Sequence, residues 1–320
     1  MTTVTDAMPT LEDVKQASER IAGYIRRTPL IPAVPAKAPI HASGRLSLKL
    51  ECLQIVGSFK ARGASAKLTS LDDAAVARGL VTASGGNHGL GVAYAGWWAG
   101  APARIFLPHG TPSAKAEKIA AWGAEVVHHG SVWDEANEAA LAAAERDGLT
   151  YVHPFADPAV IAGQGTVALE ILEQAADADV LLVAIGGGGL IAGIATAAKA
   201  LKPNIEIVGI EATGAPTLKR SVEAGGLVTL DEIRTEAGTL APRRSEAINL
   251  QIIAEHVAEI VLVTDEEMRQ AARWLWFEFG IAAELSGAAA VAALQAGAYQ
   301  PADDTHVVAL VCGAGTDGIA

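Results

Sequence analysis

The chain has 320 residues, 51% of them hydrophobic and 19% charged, enough for a large core organised as one elaborate domain or two. A net charge of -12 and a pI near 5.1 argue against a nucleic acid or an anionic membrane as the main partner. Two cysteines, Cys52 and Cys312, cannot build a disulfide framework, and with no Cys-x-x-Cys they fit a reducing cytoplasm.

Residues 1–10 contain no basic segment followed by an apolar stretch, so no signal peptide is expected there. An amphipathic helix is expected over 11–24, followed by Arg27-Thr28-Pro29-Leu30. Residues 46–50 alternate as Leu-Ser-Leu-Lys-Leu, the period of a half-buried strand, and a helix is expected to begin near Lys60. From there the pattern alternates. Strands are predicted at 80–83, 103–107 and 125–128, and helices at 89–99, 114–122 and 133–146. A break near Phe155 precedes a second alternation, with helix 167–174, strand 180–185, helix 190–201 and strand 205–210. Helices at 268–279 and 287–296 and a strand at 305–311 close the chain. Segment 180–185 is too short to span a bilayer and reads as a buried strand. Such alternation implies an α/β fold of two three-layer α/β domains with mainly parallel sheets. The larger is expected over 1–48 and 154–320, with a smaller one, 49–153, inserted into it.

Three motifs carry the chemistry. In Gly57-Ser58-Phe59-Lys60-Ala61-Arg62-Gly63 a lysine stands at a helix start, where the positive end of the helix dipole and partial burial both lower its pKa. That suits a lysine that forms a Schiff base. Ser84-Gly85-Gly86-Asn87-His88-Gly89 lies between a strand and an Ala-rich helix, where successive backbone amides form an anion site. Gly186-Gly187-Gly188-Gly189-Leu190 joins a buried strand to a helix, a cost in conformational entropy that cradling a phosphate would offset. Its spacing is not that of the dinucleotide fingerprint. A poised lysine, a carboxylate-sized anion loop and a phosphate loop together point to pyridoxal phosphate.

The chain resembles the fold-type II pyridoxal-phosphate enzymes of the threonine/serine dehydratase (ammonia-lyase) and serine racemase family. The resemblance rests on the three motifs in this order, with Arg27-Thr28-Pro29-Leu30, His153-Pro154, Ile161-Ala162-Gly163-Gln164-Gly165-Thr166 and Leu190-Ile191-Ala192-Gly193. It implies the tryptophan-synthase-β-like fold. It implies Lys60 as the Schiff-base lysine and catalytic base, with Phe59 packed beside the cofactor. It implies Asn87 on the cofactor's phenolic oxygen, Gly186, Gly187, Gly188, Gly189 and Leu190 around the phosphate, and Cys312 facing the pyridine nitrogen. Ser84, Gly85, Gly86, Asn87 and His88 would hold the substrate carboxylate. Alone, Cys312 reads as a small buried hydrophobe.

The activity implied is conversion of L-threonine, L-serine or a related β-hydroxy amino acid to a 2-oxo acid and ammonia. Serine racemase, a 3-hydroxyaspartate dehydratase and a regulatory protein that merely binds the cofactor are the alternatives. Gly85 stands where racemases carry a second serine, which disfavours racemisation. Metal-activated relatives place an acid, a carbonyl and an aspartate where this chain has Glu211, Ala215 and Thr217, so no metal is assigned. The pair His128-His129 reads as a surface feature, and Trp97, Trp98, Trp274 and Trp276 as core or subunit-interface residues. Arg243 and Arg244 could read a second substrate carboxylate or face solvent. A cytoplasmic homodimer acting on an amino acid is expected, with no regulatory domain after Cys312.

Overall fold

The computed structural model describes residues 7–41 and 43–319; residues 1–6, part of the segment expected to lack a signal peptide, and residues 42 and 320 lie outside the described residues. Helix α1 (Leu11–Ile21) opens on a capping box between Thr10 and Asp13, ending three residues earlier than its pattern predicts. Strands β1 (Leu30–Pro32) and β2 (Arg45–Lys49) pair antiparallel. Helix α2 (Lys60–Leu68) leads to α3 (Asp73–Arg78). Then come β3 (Leu80–Ala83), α4 (Asn87–Ala99), β4 (Ala103–Leu107), α5 (Ser113–Ala120), β5 (Glu125–His128), α6 (Trp133–Asp147) and β6 (Thr150–Tyr151).

The remainder runs α7 (Pro158–Gln174), β7 (Val180–Ala184), α8 (Gly189–Leu201), β8 (Glu206–Ala212), α9 (Thr217–Ala224) and α10 (Ala247–His256). It ends with β9 (Glu259–Val263), α11 (Asp265–Phe279), α12 (Leu285–Gln295) and β10 (His306–Leu310). Two sheets result. One has the order β1-β2-β10-β7-β8-β9, parallel apart from β1; the other has the order β5-β4-β3-β6 and is parallel throughout. Every residue of β3, β7 and β10 is buried, so both faces of each sheet are covered there, as a parallel sheet between helices requires. Among the described residues no helix is long and apolar enough to cross a membrane.

Helix α7 starts at Pro158, nine residues before the predicted 167, behind an Asp157 cap. Gly163 and Gly165 argue against a helix on propensity. Packing overrides that preference, because a Cβ at Gly163 would meet the backbone of α2 at 2.8 Å and one at Gly165 the carbonyl of Gly193 at 2.7 Å.

A buried charge cluster joins three of these elements. Arg62 on α2 donates to Glu51 at 2.7 Å and to Glu170 on α7 at 2.8 Å, and Lys49 at the end of β2 donates to Glu170 at 2.6 Å. Thr28, Thr166 and Gln174 fill the remaining hydrogen-bond positions. Two cations and two carboxylates out of water balance each other; removing one leaves its partner desolvated and unpaired. Arg62→Met should therefore lower the free energy of unfolding by about 3–5 kcal/mol. Urea denaturation would check this, and a change below about 1 kcal/mol, the worth of an exposed pair, would contradict it.

Candidate active site

Lys60 is the first residue of α2, and the turn before it is held in an unusual shape. Val56 has φ 58° and Gly57 φ 83°, both left-handed. For a β-branched residue this costs on the order of 1–3 kcal/mol and persists only where the surroundings enforce it. The enforcement comes from the last strand's continuation: Gly57 accepts from the Ala314 amide at 2.8 Å, Phe59 N–H donates to the Cys312 carbonyl at 3.3 Å, and Ser58 bridges Gly313. The Lys60 Nζ then reaches the Pro154 carbonyl at 2.6 Å and sits 5.2 Å from the Phe59 ring centre. Burial pushes its ammonium down to about 8, with Cys312 and Glu284 pulling the other way.

The Ser84-Gly85-Gly86-Asn87-His88 loop runs from β3 into α4, partly exposed from Ser84 to Asn87. Ser84 Oγ accepts from the Gly86 amide at 3.2 Å. Asn87 Nδ2 donates to Glu284 Oε1 at 2.8 Å. The His88 ring turns inward: its Nε2 meets Thr82 Oγ1 at 3.1 Å and the Val152 carbonyl at 2.9 Å, tying α4 to β3. Burial, then the Lys60 charge, lower its pKa to about 3. Only its backbone therefore belongs to the loop's open face.

The glycine run joins β7 to α8. Among the described residues, no protein acceptor takes the amides of Gly186, Gly187, Gly188, Gly189 or Leu190. The loop is pegged from behind. Asn249 Nδ2 donates to the carbonyls of Gly187 at 2.8 Å and Phe155 at 3.0 Å, and Ser245 Oγ donates to Gly187 O at 2.8 Å. Gly188 has φ 93°, and a Cβ on Gly187 would lie 2.2 Å from the Phe155 ring, so side chains are excluded for steric reasons as well as for access. Cys312, just past β10, is buried with its thiol on the Ser286 carbonyl at 3.4 Å; burial and Glu284 push its pKa up. Contacts connect the three motifs: Lys60 bonds Pro154, the neighbouring Phe155 ring packs on Gly187, and Phe59 bonds Cys312 in the continuation of the last strand, while the charges of Lys60 and His88 are close enough to act on each other.

The match to the family model of pyridoxal-phosphate dependent enzymes extends over residues 21–313. The chain belongs to that family. It is 39% identical to an L-threonine ammonia-lyase of Thermotoga maritima over 90% of this chain and 71% of that protein. A solved threonine deaminase, the processed form of isoform 2 from Solanum lycopersicum, superposes with a TM-score of 0.89 at 33% identity, covering 99% of this chain and 96% of that one. A serine racemase from maize gives 0.90 at 33% identity, covering 96% and 94%. The protein is thus an enzyme and its cofactor is pyridoxal phosphate, which leaves no place for a regulatory binder without turnover.

The residues present fit that group. Five free amides at the start of α8 suit a phosphate, a desolvated amine suits an aldehyde, and an amide side chain and a neutral thiol can face polar ring atoms. The side chains at the positions compared with metal-activated relatives are committed. Glu211, whose pKa burial raises to about 7, accepts the amides of Leu218 and Lys219 at 2.8 and 2.9 Å, and Thr217 Oγ1 donates to Pro242 O at 2.7 Å. Among the described residues no three His, Cys, Asp or Glu side chains gather as metal ligands. Arg243 and Arg244 are exposed and hold Leu230 O and Thr229 Oγ1, both at 2.9 Å.

Sequence reading missed Glu284, Ser286, Thr239, Ser245 and Asn249. Ser286 and Glu284 stand at the start of an expected helix, a position that by itself reads as a cap. The other three lie in 213–258, where no periodic pattern marked an element. Because Lys60 is desolvated in the cofactor-free protein, its reaction with an amine-acylating reagent should follow a pH midpoint near 8. Mass-spectrometric labelling across pH would measure it, and a midpoint at or above about 10 would mean a solvated lysine.

Proposed function

We propose that the enzyme is an ammonia-lyase that converts L-threonine, L-serine or a related β-hydroxy amino acid to a 2-oxo acid and ammonia. The observation that carries this is the Lys60 amine, desolvated and bonded to the Pro154 carbonyl beside the Phe155 ring that packs on the glycine run. The names of relatives at 39% and 40% identity support the same substrate class. Bound pyridoxal phosphate supplies the electron sink that lets a proton leave the substrate's α-carbon.

The chain does the rest. The amides of Gly186, Gly187, Gly188, Gly189 and Leu190 bind the phosphate at the positive end of α8. Phe59 would pack beside the ring, Asn87 would donate to its phenolic oxygen, and Cys312, whose S–H here donates to the Ser286 carbonyl, would turn that protonated thiol to the ring nitrogen. The loop of Ser84, Gly85, Gly86, Asn87 and His88 would orient the substrate carboxylate at the start of α4, with the Gly86 amide already held by Ser84 Oγ. Lys60 would take the α-proton at Nζ, and the burial that lowers its pKa in the free protein favours the neutral amine a base requires.

The maize racemase likeness makes racemisation the second reading. It needs a proton donor on the face opposite Lys60. Gly85 has no hydroxyl, and the side chain nearest the place of its Cβ is Thr111, with Cγ2 at 2.9 Å and Oγ1 at 3.5 Å. The 3-hydroxyaspartate reading would need a cation at the substrate, and the loop arginines are engaged by Leu230 and Thr229. We also infer that residues 49–153 form an inserted small domain, that the protein is cytoplasmic, and that it is a homodimer. Exposed Trp97, Trp98, Trp276 and Phe277 support the dimer, and two free buried cysteines a reducing compartment.

Incubation with L-threonine or L-serine should yield 2-oxo acid and ammonia with little D-isomer. A keto-acid assay with chiral chromatography would decide it, since D-serine forming as fast as pyruvate requires a second proton donor. Lys60→Ala should abolish turnover and the visible absorbance of bound cofactor together, leaving a folded protein by circular dichroism. Near-native turnover in that variant would reject Lys60 as the base.

A further inference from the structure

Glu284 immediately precedes α12, where a carboxylate ordinarily folds back to cap the helix amides. Here it makes no such bond. The Leu285 amide goes instead to Asp317 Oδ2 at 2.8 Å. The freed carboxylate crosses the cleft to α4, and its Oε1 accepts from Asn87 Nδ2 at 2.8 Å and from Ser286 Oγ at 2.6 Å. Thr239 Oγ1 donates in turn to Ser286 Oγ at 2.6 Å. These bonds link α4 of the smaller sheet to the end of α12 under the larger one.

A carboxamide has two ends of nearly equal shape and opposite polarity. A carboxylate can only accept, so the one facing Asn87 selects the nitrogen end and holds it. Nδ2 carries two hydrogens; one is engaged by Glu284 and the other remains to donate. A flipped amide would set its oxygen against the carboxylate, two acceptors in contact in a partly buried place.

We propose that Glu284 is a positioning residue that fixes the rotamer and polarity of Asn87, so that Nδ2 presents its second hydrogen to the phenolic oxygen of the cofactor. The proposal rests on the reading of Asn87 given above. Glu284 itself need not touch the cofactor. Its effect passes through one side chain, which is what makes it testable as a coupling.

The test is a double-mutant cycle on Asn87→Ala and Glu284→Ala, read as the dissociation constant of pyridoxal phosphate and the absorbance maximum of the bound cofactor. Each single change should weaken binding roughly tenfold, the worth of one hydrogen bond to a charged group. The double variant should bind no more weakly than Asn87→Ala alone, with the same displaced maximum. Glu284→Gln, whose amide oxygen can still accept from Nδ2, should restore affinity to within about threefold of the native protein. Glu284→Met, of similar volume, replaces the alanine variant if that one does not fold. Losses that multiply in the double variant, or native affinity in Glu284→Ala, would overturn the proposal while leaving Asn87 on the cofactor. Native affinity and spectrum in Asn87→Ala would instead remove the reading of Asn87, and the role of Glu284 with it.

Discussion

A lysine that must lose its proton near neutrality has to be kept out of water, and the helix that begins with it has to be kept from moving. The cluster of Lys49, Glu51, Arg62 and Glu170 meets the second requirement. Arg62 lies two residues beyond Lys60 and is fully buried, so its two carboxylate partners fix α2 against β2 and α7. Such a cluster adds little net stability over an apolar core, because desolvation offsets most of the Coulomb gain. What it supplies is definition: an α2 shifted by an ångström would leave four charges badly paired. The strained Val56-Gly57 turn, clasped by residues 312–314, sets the other end of the same segment. Lys60 sits between two anchors.

The parallel sheets explain why everything else meets there. Ser84 follows the carboxyl end of β3, Gly186 follows that of β7 after one residue, and Cys312 follows that of β10 after one residue. In an open parallel sheet, ligands bind outside the carboxyl ends of the strands, where loops lead into helix N-termini with unpaired amides. Two sheets thus supply two such termini, those of α4 and α8, each following the carboxyl end of a buried parallel strand. One suits the substrate carboxylate and the other a phosphate, and neither requires a charged side chain. The net charge of -12 is therefore no obstacle to binding two anions, since local amide dipoles act at short range.

How much of this was legible depended on how locally each feature is encoded. The glycine loops, Lys60 and Asn87 stand in short motifs at strand–helix junctions, and the apolar runs of β3, β7 and β10 leave little choice of assignment. Helix α7 was half hidden because Gly163 and Gly165 lower helix propensity, and only close contact with α2 and α8 explains them. Helices α9 and α10 and strand β9 went unread for want of a clear period. Asn249 could not be singled out as the peg of the glycine loop, because its partners, Phe155 and Gly187, are 94 and 62 residues away in sequence. Glu284 is 197 residues from Asn87. Long-range polar pairs leave no periodic trace.

The protonation states around Lys60 follow one physical rule, with a consequence for the reaction. Desolvation disfavours whichever form carries charge, so the bases beside Lys60 stay neutral and the acids stay protonated to higher pH. His88 and His153 are lowered to about 3 and 4. His153 Nδ1 also accepts two backbone amides, at 2.9 and 3.2 Å, and is taken up as a cap. Burial raises Cys312, and raises Glu284 against the hydrogen bonds from Ser286 and Asn87, which favour its carboxylate form. Of the groups near Lys60, the histidines are thus withdrawn from acid duty, and the thiol stays protonated, resting on the Ser286 carbonyl until the ring nitrogen is there to take it. On the proposed reading, position 85 itself brings no proton carrier to the face opposite Lys60, because glycine has no side chain, and the hydroxyl nearest the place of its Cβ is that of Thr111, at 3.5 Å. Loss of the β-substituent is then favoured over inversion to the extent that position 85 is the one that would return the proton.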